Sequence, residues 1–428
     1  MTANSTLTPA VARRTLPPRT AYLLVAGIIG LTLFASATPS PLYGMYRQLW
    51  GFSPVVLTLV YATYAFGVLA ALVLAGRVSD EVGRRPVLLV ALGTLMAATV
   101  MFMLADSVMW LFIARAVQGL ATGLALGAAS AAMLDLHPRR DPAGVGLANG
   151  VVSAAGMGLG VLVSAAFIEL LPAPLVLPYV ALFVLFAIAF IGALRMAEPV
   201  ESRSRLRLTP QLLSPQRPSV PATAHRAFRL AALGVMSTWS IGGLFLALGP
   251  QLAGTLFHTN DHLVSGVNVF ALAGPAALAQ LAFRRTVPWV GAAAGSVVLA
   301  AGVMIMVLAA SADSGVLFLA GAIVGGAGFG VAFLGELRVL SAAIPPEHRG
   351  AVMSAFYIVA YASLSLPAIL AGVLVTPLGL LPTFEIFGCA AAALALVVAF
   401  QAWRLRPSVT RDPVCAGSRE VARVTSRY

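Results

Sequence analysis

Gly76-Arg77-Val78-Ser79-Asp80-Glu81-Val82-Gly83-Arg84-Arg85-Pro86 carries five charges in eleven residues, in a chain that is only 10% charged. The residues on either side, from about 55 to 76 and from about 86 to 105, are almost wholly apolar, and each run has about the 20 residues a helix needs to cross a bilayer. A short, glycine-bounded, charge-dense turn between two such runs is a membrane-surface hairpin under steric control. Arginine alone would suffice to hold a loop on one side of a membrane, so Asp80 and Gly83 serve another purpose. The stretch reads as a conformational latch.

Outward from this turn the same contrast repeats. With 60% hydrophobic residues and a mean hydropathy of +0.93 over 428 residues, the apolar side chains cannot all be hidden in a soluble core. The fold class is all-α, a polytopic membrane protein. Twelve apolar segments are expected, at about 21–43, 55–76, 86–105, 108–134, 144–168 and 175–195, then 227–250, 264–283, 288–311, 315–340, 350–375 and 381–403. Every basic residue is an arginine. With an even number of spans, one side receives all of them except Arg47 and Arg115, which puts both termini in the cytoplasm of a bacterial-type plasma membrane. The net charge of +12 is thus orientation charge, and no nucleic-acid partner is implied. A rival for the first segment is a cleaved signal peptide, with Arg13-Arg14 before it and Ala35-Ser36-Ala37 as the cleavage site; that would leave eleven spans. Cys389 in an apolar run and Cys415 in a polar tail sit too differently to form a disulfide.

The organisation expected is a tail (1–20), a bundle of six helices (21–195), a linker rich in arginine and proline (196–226), a second bundle of six (227–403) and a tail (404–428). The linker cannot bury a core. A shift of 207 residues superposes Val117, Gly119, Gly123, Ala125 and Pro138 on Val324, Gly326, Gly330, Ala332 and Pro345, which marks the halves as duplicates. Parallel repeats about an axis along the membrane normal, with the substrate between them, are a transporter architecture.

The chain resembles the major facilitator superfamily from the first segment to about Arg404. That family's signature after the second helix reads roughly Gly-x-Leu-Ala-Asp-Arg-x-Gly-Arg-Arg, and Gly76, Asp80, Gly83, Arg84 and Arg85 match it, while Val78, Ser79 and Glu81 depart. Its second signature, Arg-x-x-Gln-Gly, is Arg115, Gln118 and Gly119 here. The resemblance implies a major facilitator fold of two pseudo-symmetric six-helix bundles, a small-molecule substrate crossing the lipid bilayer, and a role for Arg115 in proton transfer or in organising the central cavity. A third signature, in the fifth helix of the drug/proton antiporters, is half present: Gly156 and Gly160 fit it, while Leu147, Val161 and Ser164-Ala165 do not. The same two glycines make a face for close helix packing.

Several expectations follow for individual residues. The eleventh helix should begin near Gly350 on the surface that bears the latch, and Asp80 is the natural acceptor for its free N–H groups. Arg77, Arg84 or Arg85 can meet Asp135 at the end of the fourth helix. Arg115, well inside its span, needs an offset for its burial; Gln118 is on the same face, and Asn149 and Ser153 are candidate partners if the fourth and fifth helices adjoin. Tyr61, Tyr64, Trp239, Asn268, Tyr357 and Tyr361 are candidates to line the transport pathway. Thr38-Pro39-Ser40-Pro41 should bend the first helix and free backbone groups. No acidic residue lies in the middle of a span, and Glu336 is the best candidate for a proton site, although Arg338 is close in sequence.

An enzyme is not indicated, because all five histidines lie in loops and no nucleophile, base and orienting group share a span. His258 and His262, with Asp261 between them, have metal-ligand spacing without a third ligand, and no metal or other cofactor is expected. The expected protein is a monomeric secondary transporter working by alternating access, proton-coupled and exporting small amphipathic or drug-like compounds. The alternatives are a facilitator for a sugar or metabolite, and a non-transporting membrane sensor.

Overall fold

Prolines at the first turn and side-chain caps set where the helices begin. Pro18, Pro39, Pro142, Pro178 and Pro288 occupy the first or second helical position of their helices, where the missing N–H costs nothing. Asp141, Asp261 and Ser314 accept hydrogen bonds from the first-turn amides of theirs. The computed structural model describes residues 15–75, 78–199, 219–345 and 348–405. The helices there are α1 (Pro18–Ala37), α2 (Pro39–Trp50), α3 (Pro54–Ala75), α4 (Val78–Val82), α5 (Arg84–Met103), α6 (Val108–Leu136), α7 (Pro142–Leu170), α8 (Leu177–Leu194), α9 (His225–Leu256), α10 (His262–Ala282), α11 (Pro288–Ser311), α12 (Gly315–Ala343), α13 (Arg349–Leu378) and α14 (Leu380–Arg404). Gly76, Arg77, Glu347, Cys415, both tail ends and most of the linker lie outside the described residues.

Among the described residues, twelve spans are long and apolar enough to cross a membrane, with α1 and α2 together forming the first. Large apolar side chains such as Ile188, Leu278, Val316 and Phe400 are exposed on their outer faces, as a bilayer requires. The seventh span runs on to Leu256, past the expected stop at Pro250. Helix α1 pauses only at Thr38, whose backbone stays helical (φ −49°, ψ −43°), and resumes as α2, so the proline pair interrupts hydrogen bonding more than direction.

The packing pattern of the first six spans repeats in the last six. Helix α6 packs on α1, α3 and α5; its counterpart α12 packs on α9, α10 and α11. The pairs α1·α7 and α5·α8 are matched by α9·α13 and α11·α14. The repeated glycines explain how. A Cβ on Gly119 would fall 2.2 Å from the Tyr64 carbonyl oxygen, and one on Gly326 would fall 2.2 Å from that of Leu272. Their partners one turn on, Gly123 and Gly330, meet the carbonyls of Val68 and Ala276 at 2.8 and 2.2 Å. Among apolar helices in lipid, such close backbone contact replaces the hydrophobic drive. Helices α11 and α12 carry the tightest seam, with Gly295 against Ala332 and Gly302 against Gly325.

The halves meet along α3·α13 and α7·α10, and through α2 with α9 and α10. Helix α6 makes no extended contact with α12 or α13. At the end bearing the Gly83–Pro86 turn and most of the arginines, the halves touch through α7 and α10, where a Cβ on Gly150 would fall 2.3 Å from Gln280 Oε1, but not extensively through α6; Trp50, Leu170 and Leu256 lie at the opposite end.

Candidate functional site

Pro39 has no N–H, so the carbonyl of Ala35 loses its helical partner in the first span. Gln118 Nε2 takes that place at 3.0 Å, and Arg115 Nη1 donates to the neighbouring Ser36 carbonyl at 2.8 Å. Arg115 Nη1 also donates to Gln118 Oε1 at 2.8 Å, and Nε to the Tyr43 hydroxyl at 2.5 Å. The rings of Tyr43, Tyr64 and Phe102 lie 5.3, 5.5 and 5.8 Å from the guanidinium carbon. Arg115 is fully buried, at 0% exposure, so it does not reach for the interface. Asn149 and Ser153 are not its partners: Asn149 donates to Ser130 and accepts from Ser153. The reason is depth. Arg115 lies seven residues from the start of α6 at the opposite end, while Asn149 lies seven from the start of α7 at the arginine-rich end, roughly 10 Å in from each.

The opposite end is sealed by a second proline-freed carbonyl. Pro250 inside α9 deprives Leu246 of its helical partner, and the Ser40 hydroxyl of α2 donates to that oxygen from the other half. Helix α9 runs on through Pro250 to Leu256. Nearby, a Cβ on Gly372 would fall 2.3 Å from Thr58 Oγ1 between α13 and α3, one on Gly266 would fall 2.4 Å from Ala165 Cβ between α10 and α7, and the His262 amide donates to Glu169 at 3.3 Å. Sequence reasoning missed Ser40 and Tyr43; the proline on each side of Ser40 was the available signal.

The predicted pathway aromatics divide between the halves. Tyr61 and Tyr64 of α3 and Tyr361 of α13 are buried in one cluster. Trp239 of α9 stands edge-on to Tyr361 at 5.1 Å and 6.2 Å from Phe333, and Tyr357 is half-buried beside Phe356. Asn268 donates to the Val264 carbonyl of its own helix, and its Oδ1 has no partner among the described residues. Gly156 and Gly160 of α7 lie against α1, where added Cβ atoms would fall 2.1 and 2.3 Å from the carbonyl oxygens of Gly30 and Phe34.

Glu336 of α12 is 1% exposed, and neither carboxyl oxygen has a hydrogen-bond partner among the described residues. It rests on the bare backbone of Gly234 in α9, and Ser296 of α11 stands beside it without a bond of ordinary geometry. Arg338 turns away and donates to the carbonyls of Arg284 and Thr286 at 3.1 and 2.9 Å.

In the turn that opened the sequence reading, Arg84 gathers the charges. It bonds Asp80, the Ser79 hydroxyl at 2.8 Å and Asp135 at 3.2 Å. In this conformation Asp80 is thus paired with Arg84, and the N-cap residue of α13, His348, makes no side-chain cap bond. Two caps missed from sequence complete the turn. Glu198 accepts from the Arg84 and Arg85 amides at 2.8 and 3.0 Å, while the Arg85 guanidinium donates to the last carbonyls of α8, Ala193 and Leu194. Gly83 is required between them: its φ is +105°, and a Cβ would meet Glu198 Oε2 at 2.9 Å.

His258 pairs with Asp313 at 3.1 Å, Asp261 caps α10, and no cluster of three metal-ligating side chains exists among the described residues.

No curated relative matches the sequence significantly. Among solved structures, the human organic anion transporter MFSD10 (TETRAN) superposes with a TM-score of 0.65 at 19% identity, over 90% of this chain and 100% of that one. The xylose transporter XylE from E. coli, in a partially occluded inward open conformation, superposes with a TM-score of 0.71 at 13% identity, over 92% and 99%. At these identities the likeness is one of fold. The family description "Major Facilitator Superfamily" matches residues 25–366, and with twelve spans in two like-packed sets the chain belongs to the Major Facilitator Superfamily of membrane transporters.

Proposed function

We propose that the protein is a proton-coupled secondary transporter that exports small amphipathic, drug-like compounds by alternating access, acting as a monomer in a plasma membrane of bacterial type with both termini in the cytoplasm. The observation that carries this reading is the asymmetry of the seam between halves: bonded across by Ser40 and Leu246 at one end, without extended contact of α6 to α12 or α13 at the other. The arginine-rich end faces the cytoplasm by the positive-inside rule, so this is an inward-facing state. Small-molecule transport is also the activity that the titles of both structural neighbours give to those proteins.

The latch belongs to the other half of the cycle. When the cytoplasmic ends close, Asp80 exchanges Arg84 for the α13 N-terminus, a contact worth about 0.3–2 kcal/mol depending on burial. That is enough to bias two states and weak enough to break on each turnover.

Glu336 supplies the proton step. An ionised carboxylate in its pocket would lack any partner, which costs several kcal/mol, so the group enters the pocket with its proton and releases it only where water or a cation reaches it. Movement of α9 over Gly234 is what would expose it. Purified protein in liposomes tests the reading: an imposed proton gradient should drive flux of an amphipathic probe, and Glu336→Gln should abolish the response to the gradient while exchange of probe at equal pH persists. Gradient-driven flux that survives in Glu336→Gln would remove this residue from the mechanism.

A further inference from the structure

Arg115 has five N–H donors, and the three on Nε and Nη1 are used by Tyr43, Ser36 and Gln118. Both protons of Nη2 point to no acceptor, although the atom is buried. The hydroxyls of Tyr64 and Thr122 are likewise buried; they stand beside each other, and that of Tyr64 beside Ser36, without a bond of ordinary geometry. These three atoms belong together: the Tyr64 ring lies 5.5 Å from the guanidinium carbon, and Thr122 follows Gln118 by one turn on α6. Buried polar groups are normally satisfied, and a guanidinium nitrogen without an acceptor, beside two hydroxyls free to reorient, describes a place for an acceptor that the protein does not itself supply.

The charge of that ligand follows from what is absent around it. Among the described residues no carboxylate pairs with Arg115, and the one carboxyl buried within a span, Glu336, lies against Gly234 and α11 near the other end. The guanidinium therefore sits in the membrane interior with its charge uncompensated except by dipoles and ring faces. A cationic substrate would be repelled there. An anionic oxygen would receive charge-assisted bonds from Nη2 and neutral ones from the two hydroxyls. Across the seam, in the same buried cluster as Tyr64, Tyr361 and its edge-on partner Trp239 offer ring surface to an apolar body.

We propose that Arg115, Tyr64 and Thr122 form the anion-binding subsite of the transport pathway, and that the substrate is an organic monoanion with an aromatic or apolar body. This rests on the transport reading above and narrows its substrate class.

Three probes of one shape separate the possibilities: naphthalene-1-sulfonate, the neutral naphthalene-1-sulfonamide, and the cationic naphthalen-1-ylmethyl-trimethylammonium. Calorimetric titration into the full chain in uncharged detergent should show the sulfonate binding about tenfold or more tighter than the sulfonamide, as expected for a charge-assisted bond in a desolvated site. The trimethylammonium should bind weakest. Arg115→Gln should erase the preference. Because that variant risks misfolding, Thr122→Val and Tyr64→Phe, which keep shape, should each weaken the sulfonate about 3- to 10-fold and the sulfonamide less. Equal binding of all three probes, tighter binding of the cation, or no binding at all overturns the proposal, as does an unchanged sulfonate affinity in both conservative variants. Gradient-driven flux of the same probes in liposomes is read separately: flux of the cation or the neutral probe with none of the sulfonate leaves transport standing and removes the anion subsite, whereas no flux of any probe removes the transport reading itself.

Discussion

Glu336 lies directly over Gly234, so close that a Cβ on the glycine would fall 2.1 Å from the carboxyl carbon. The carboxyl occupies the room that the missing side chain leaves. Gly234→Ala should therefore lower stability by about 1–3 kcal/mol, the usual cost of overpacking. Adding Glu336→Ala to the same chain should restore most of the loss. Thermal unfolding of the detergent-solubilised single and double variants measures the coupling; additive losses would separate the two residues.

The bond from Ser40 to the Leu246 carbonyl closes the end opposite the arginines. Its net worth is about 0.5–1.5 kcal/mol. Ser40→Ala should accordingly shift the population about 2- to 13-fold away from the conformation described here, the factor to which that energy corresponds. Accessibility of a cysteine placed near Tyr43 to an impermeant thiol reagent should rise by the same factor.

Glu198 and Arg85 cap the facing ends of α5 and α8. Glu198→Ala should cost about 0.5–2 kcal/mol, the range for lost helix caps, and Glu198→Gln less, since one amide acceptor remains. By contrast Asp80→Asn should barely change the melting temperature, because the Asp80 side chain is 59% exposed and exposed ion pairs contribute little. Its effect belongs in the transport rate, measured as initial flux. A drop in stability with normal flux would reverse both assignments.

The internal repeat makes a paired prediction. Gly119 and Gly326 meet the carbonyls of Tyr64 and Leu272 at the same 2.2 Å from the position of a Cβ. Gly119→Ala and Gly326→Ala should destabilise to within about 1 kcal/mol of each other, because the same backbone clash is created in each half. Folded yield and melting temperature of the two variants check this.

The fold was legible because hydrophobic length is a strong signal: most of the twelve segments end within a few residues of the helices observed. The exceptions had physical causes. The seventh segment was bounded at about residue 250, yet α9 runs on through Pro250 to Leu256, and a hydroxyl from a distant helix satisfies the carbonyl this proline frees. For the site, Arg115 and Gln118 were visible as costly or paired polar groups in an apolar run, and their bond is seen. Their other partners, the carbonyls of Ser36 and Ala35, carry no residue identity, so no side-chain pattern can announce them. Gly234 and Glu198 were hidden for a related reason: each matters through a neighbour about a hundred residues away. The Asp80–Arg84 pair of this conformation was not legible, because helix electrostatics names a partner for Asp80 without saying in which conformation the two meet.

Rocking of the two halves is most directly tested by pulsed electron spin resonance distances in lipid nanodiscs, on a chain carrying Cys389→Ser and Cys415→Ser. One label pair, Arg140→Cys with Ala342→Cys, spans the arginine-rich end; another, Ala173→Cys with Asn260→Cys, spans the opposite end. Alternating access predicts two distances at each end, with the long population at one end rising as that at the other falls when pH or probe is changed. A single unchanging distance at both ends under every condition would contradict it.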